Sequence, residues 1–169
     1  TLKGIALFVK ISAAGGTPDP ADRAAAETAL RTALAIDPDD GLAHANLGGI
    51  AMLFDFDWPR AKDHYETAIR LSPLAAEAYA GGLLLAGHGA EAETYYLRAK
   101  DVDPMSLSIR FKLALTYSMT GRLDDALAAI DDLERLVPNN PAFAMQRGWL
   151  LMQQGNLEAA RATFARVRA

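Results

Sequence analysis

Apolar and small residues along this chain recur at helical intervals, and one short pattern returns five times. Ala26, Leu30 and Ala33 are followed by Pro38; Ala61, Tyr65 and Ala68 by Pro73; Ala92, Tyr96 and Ala99 by Pro104; Ala126, Ile130 and Leu133 by Pro138. A fifth copy consists of Ala160, Phe164 and Val167. Steps of four and then three residues place a small, a large and a second small-to-medium side chain on one helical face. The proline five positions on lies beyond that helix, because it lacks an amide hydrogen and its ring clashes with the preceding turn. Upstream of four copies lies a second helical segment: LAHANLGGIAML at 42–53, AEAYAGGLLLAG at 76–87, LSIRFKLALTYSM at 107–119 and AFAMQRGWLLMQQ at 142–154. Each repeat therefore reads as a helical hairpin.

The first copy is the least regular. An opening helix is expected near Leu2 to Ser12, followed by a long loop rich in glycine and proline. Asp19-Pro20-Ala21-Asp22 then has the form of a helix start, with Asp19 to accept free amides and Pro20 needing no partner for its nitrogen. Four residues before the alanine of each later copy stand Asp57, His88, Arg122 and Asn156, which marks the turn inside each hairpin. The segment FDFDWPRA at 54–61 occupies one of these turns. Its two acids suggest a ligand site, yet Asp57 is more simply a helix N-cap and Pro59 a first-turn proline. The corresponding turn of the third copy, GHGA, is shorter by three residues.

These phased copies resemble the tetratricopeptide repeat, in which paired helices carry a leucine and a small residue in the first helix and alanine, aromatic, alanine and proline in the second. Leu47-Gly48 with Ala51, and Leu113-Ala114 with Tyr117, match the first-helix part. Gly82-Leu83 and Arg147-Gly148 depart from it, so altered helix packing is expected there. The resemblance implies an all-α, right-handed α-solenoid of about five antiparallel hairpins. It would be a single domain over 1–169, with repeats near 1–38, 39–73, 74–104, 105–138 and 139–169. It also implies a non-enzymatic interaction scaffold whose first helices line a groove for an extended or helical partner segment. Carried over residue by residue, the groove takes Leu42, Ala45, Asn46, Gly49 and Met52, then Glu77, Ala80 and Leu84. It continues with Ser108, Phe111, Lys112, Leu115 and Met119, then Met145, Gln146, Trp149 and Met152. The binding residues expected to matter are Asn46, Phe111, Lys112, Leu115, Met119, Met145, Trp149 and Met152. Only Asn46 and Lys112 could serve a clamp for a terminal carboxylate, whereas the methionine-rich half suits an adaptable apolar contact.

A second resemblance concerns context. FDFDWPRAKDHYETAIRLSP and DVDPMSLSIRFKLALTYSMTGRLDDALA look like the repeat region that follows winged-helix DNA-binding domains or class III nucleotide cyclase domains in bacterial signalling proteins. That likeness implies a sensory or assembly module of a longer chain, and an opening Thr1 agrees with a fragment or processed form.

Composition narrows the chemistry. With 51% hydrophobic and 22% charged residues the chain is of globular type, and with no cysteine it offers neither thiolate nucleophile nor cysteine-bound zinc. A net charge of -4 and no dense Lys/Arg stripe argue against direct nucleic-acid binding. The apolar run Gly4 to Ser12 is interrupted by Lys10 and is far shorter than the roughly 20 residues a membrane span requires. His44, His64 and His88 stand in separate segments without metal-ligand spacing, and no phosphate-binding loop or nucleophile motif is present. No cofactor, metal or catalytic residue is therefore expected. The expected partner is a partly apolar protein or peptide segment, with self-association possible, no membrane insertion and a cytoplasmic setting.

Overall fold

The computed structural model describes residues 19–167; the expected helix at Leu2 to Ser12 lies outside them. The described residues are helical, without strands, and fall into two compact units that divide between Gly82 and Leu83.

In the first unit α1 (Pro20–Ile36), α2 (Gly41–Leu53) and α3 (Trp58–Leu71) run in sequence, and α4 (Ala75–Leu85) crosses the division. Asp19 starts α1 by accepting from the Ala21 amide at 2.8 Å. Asp40 does the same for α2 through Ala43 at 2.9 Å, and Asp57 for α3 through Arg60 at 3.1 Å. Each bond satisfies an amide that the first helical turn leaves without an internal partner. The pattern residues Ala26, Leu30 and Ala33 are buried against Ala43, Leu47 and Ile50, with Leu34 and Phe54 closing the cluster. Gly48 leaves room for the ring of Tyr65, since a Cβ there would come within 2.7 Å of it. Gly82 makes room for Met52 in the same way, which gives the departure from the repeat pattern a physical reason.

The second unit contains α5 (Gly89–Val102), α6 (Leu107–Met119), α7 (Leu123–Leu136), α8 (Pro141–Gln153) and α9 (Leu157–Val167). Its hairpin turns share one device. Gly87, Gly121 and Gly155 take φ of +85°, +79° and +79°, a left-handed conformation that costs glycine no side-chain clash. The next residue's amide then reaches back five positions: His88 to Leu83 at 2.8 Å, Arg122 to Tyr117 at 2.9 Å and Asn156 to Leu151 at 2.9 Å. This pattern satisfies the last helical carbonyls and reverses the chain. The turn in the first unit lacks glycine: Phe56 adopts φ 53° and the Asp57 amide reaches Ala51 at 2.9 Å, one residue further back. That extra residue is the physical origin of the 35-residue spacing between Pro38 and Pro73.

Ala126, Ile130 and Leu133 of α7 are fully buried with Ala114, Phe143 and Leu150. Arg147, where the pattern has leucine, lies at the surface of this core. Its guanidinium bonds Glu134 at 3.0 Å through Nε and pairs with Asp131 of α7. Burial opposes the charge of Arg147, but the hydrogen bonds to Glu134 and Asp131 raise its pKa further above the ordinary value.

Candidate functional site

The side chains expected to form the groove divide by depth. Asn46 is only 7% exposed, and its amide donates to the Leu42 carbonyl at 2.7 Å, so it is occupied within its own helix. Met52, Gly49 and Ala80 are buried as well, and so is Leu84 just past the division between the units. In the first unit, then, most of the expected lining lies below the surface. The reason is small-residue packing: the glycines and alanines of α2 and α4 admit close helix approach, which covers their neighbours.

From α6 onward the expected groove residues are open or half-buried. Met119 is 62% exposed, Trp149 51%, Met145 43% and Met152 40%, while Phe111, Lys112 and Leu115 are half-buried. Phe111 leans onto the core, its ring 5.6 Å from Phe143 and tilted by 39°. Trp149 meets Phe164 of α9 edge to face at 6.0 Å. Around this pair lies an open cavity of about 640 Å³, lined by Met145, Trp149, Arg161, Phe164, Ala165 and Val167. Among the described residues its lining comes from α8 and α9. Met145 and Trp149 thus line one cavity together with Phe164.

Phe164 was legible as a pattern residue, and the pattern assigns it to the core. Its counterpart Ile130 is fully buried with Phe143 of the following helix, whereas Phe164 is half-buried and forms a wall of the cavity. Gly148 permits this placement, because a Cβ there would meet the Phe164 ring at 2.3 Å.

Two polar clusters lie elsewhere. Asp55 pairs with Arg23 of α1 and Arg60 of α3, so the first acid of FDFDWPRA ties a corner together while the second caps a helix. Arg122 lies over the Tyr117 ring, 4.5 Å from its centroid, and bonds both Glu93 at 2.8 Å and Asp125 at 2.7 Å. Burial, aided by Glu93, raises the Tyr117 pKa despite the nearby Arg122. Neither cluster sets a nucleophile beside a base. Among the described residues no group of three or more His, Cys, Asp or Glu side chains could hold a metal ion, and no helix is long and apolar enough to cross a membrane.

Helical hairpins, three of them turned at a left-handed glycine and two of them interlocked by a glycine against an aromatic ring, define a helical-repeat protein that presents apolar side chains. The tetratricopeptide-repeat family model matches residues 82–141 and 111–169, which together cover just over half of the sequence, and the chain belongs to that family. No curated protein matches it. Solved structures are similar in fold. One from Pseudomonas aeruginosa pilF is 22% identical with a TM-score of 0.73, over 98% of this chain and 73% of that one. MamA from Desulfovibrio magneticus RS-1 is 17% identical with a TM-score of 0.73, over 98% and 91%. YrrB, described as a TPR protein with an unusual peptide-binding site, is 18% identical with a TM-score of 0.67, over 97% and 82%. These matches establish the repeat and the all-α solenoid class. The likeness to regulator and cyclase fusions is not among what they show.

Proposed function

We propose that this chain is a non-enzymatic interaction module that holds a partly apolar protein or peptide segment against α8, with Trp149 as the anchor. The observation that carries this reading is the cluster of large apolar side chains left open at one place: Met145 and Trp149 over Phe164 and Val167, with Met152 and Met119 also exposed. Large aromatic side chains ringed by adaptable methionine favour binding, because the aromatic brings area at low entropy cost and thioethers repack around different partners. Arg161 at the rim adds a positive charge, so a segment with an acid beside its apolar residues fits best. YrrB, a structural neighbour described as peptide-binding, supports the class of ligand.

Peptides selected from a displayed random library against the parent chain test this. Enriched sequences should carry paired apolar residues and should bind Trp149→Glu at least tenfold more weakly, while Ala128→Ser on the exposed face of α7 leaves affinity unchanged. Selected peptides that bind Trp149→Glu as tightly as the parent, or a selection that enriches nothing, would remove the assignment.

A further inference from the structure

His44 of α2 and His64 of α3 lie 20 positions apart in sequence, yet their Nδ1 atoms are 3.1 Å from one another. The His44 Nε2 is 3.2 Å from the Pro38 carbonyl oxygen. A carbonyl can only accept, so His44 carries its hydrogen on Nε2 and turns the Nδ1 lone pair toward His64. His64 must then donate from Nδ1 into that lone pair, and its own Nε2 is left as the acceptor. The fold thus sets the two imidazoles with a single hydrogen between their Nδ1 atoms.

We propose that this pair is also a two-imidazole site for a divalent transition cation of the zinc and copper class. Imidazole nitrogens bind zinc at about 2.0 to 2.1 Å, so two cis ligands are about 2.9 Å apart at a right angle and about 3.4 Å apart in a tetrahedron. The observed 3.1 Å falls between these limits. The ring centroids, 5.3 Å apart with planes inclined by 48°, set the two Nδ1 atoms head to head. Small rotations of both rings would aim the lone pairs at one point beside the line that joins them. On binding, the hydrogen on His64 moves through solvent from Nδ1 to Nε2, and the two Nδ1 lone pairs form the bonds to the cation.

The surroundings suit a ligand pair. The Nε2–H of His44 is already fixed on a backbone carbonyl, the kind of outer contact that orients metal-binding imidazoles and raises their basicity. Burial, with His44 and Arg31 as further causes, lowers the His64 pKa, while Asp63 and Glu27 oppose the shift. Arg31 and Glu27 face His64 from α1, where they pair with each other at 2.6 Å, and Asp63 stands beside it on α3. No third His, Cys, Asp or Glu among the described residues completes a cage, so water fills the remaining positions and the site exchanges its cation readily. Sequence spacing concealed the pair, because the two histidines belong to different helices.

The test is a titration of the metal-free chain with zinc chloride, followed through the imidazole resonances of all three histidines. Zinc should shift the His44 and His64 signals together and saturably, and leave those of His88 unmoved. In His44→Gln and His64→Gln the affinity for zinc should fall at least tenfold, with no change in His88→Gln. Equal shifts at His88, no saturable shift up to about 1 mM zinc, or a less than twofold loss in both variants would overturn the proposal. If a variant fails to fold, the pattern of shifts in the parent alone decides.

Discussion

Asp55 and Asp57 are separated by one residue and act by different physics. Asp57 accepts the amide of Arg60, a local bond that could be placed from the sequence by counting back from Ala61. Asp57→Ala should cost about 1 kcal/mol of stability in urea unfolding, and Asp57→Asn much less, because the amide oxygen still accepts that bond. Asp55 works at a distance, since one of its arginines, Arg23, is 32 positions away, and no local pattern announces such a pair. Its side chain is 15% exposed against 33% and 36% for the arginines, so Asp55→Ala should cost more than Asp57→Ala and lose part of its effect in high salt. His64 offers a separate readout. Its folded-state pKa lies below the ordinary 6.5, so the unfolded chain binds the proton more readily between the two values. That contribution to stability is complete above about pH 6.5 and falls as the pH drops toward the folded pKa. Unfolding free energies measured from pH 7.5 to 5 should show a steeper decline for the parent than for His64→Gln, and equal slopes would contradict the assignment.

Helices were the most legible level, because a helix needs only its own spacing, whereas turns depend on one or two residues. The segments expected at 107–119 and 142–154 are found at Leu107–Met119 and Pro141–Gln153. The one expected at 76–87 ends two residues early, at Leu85, because Gly87 takes the left-handed conformation that closes the turn. Counting placed the starts of α5 and α7 at His88 and Arg122, where no side chain caps the amides, so position was readable and chemistry was not. The alanines that open each second-helix pattern, Ala61, Ala92 and Ala126, are all fully buried. Ala126→Leu should therefore overpack the contact with α6 and lower stability by roughly 1 to 3 kcal/mol. Ala128→Leu, on the exposed face of the same helix, should fall within about 0.5 kcal/mol of the parent. Comparable losses for the two variants would mean that the helix faces have been exchanged. Asp131 of the same helix would not serve as such a control, because Arg147 engages it from α8.

At the scale of the whole molecule, repetition made the fold legible, since five phased copies of a marginal signal agree, while the candidate site lies where repetition fails. Equivalent positions in successive first helices are buried in some repeats and open in others, and spacing alone does not distinguish them. Gly49 and Leu84 hold the repeat position of Leu115 and Trp149, yet both are buried while Leu115 is half-buried and Trp149 is open. Phe111 and Trp149 differ in the same way. Phe111 is half-buried and packs against the cluster of Ala126, Ile130, Leu133 and Phe143, so a charge there removes core contact area and leaves a poorly solvated carboxylate. Trp149 is half open and meets the Phe164 ring edge to face. Phe111→Glu should consequently lower the melting temperature clearly, with a loss on the order of 2 kcal/mol or more. Trp149→Glu should melt within a few degrees of the parent, because a stability change below about 1 kcal/mol moves the midpoint by only about 2 to 4 °C in a domain of this size. Thermal unfolding followed by circular dichroism separates the two outcomes. If Trp149→Glu melts as early as Phe111→Glu, Trp149 belongs to the interior of its repeat, and the apolar cavity against α9 is internal packing and not a place for a partner.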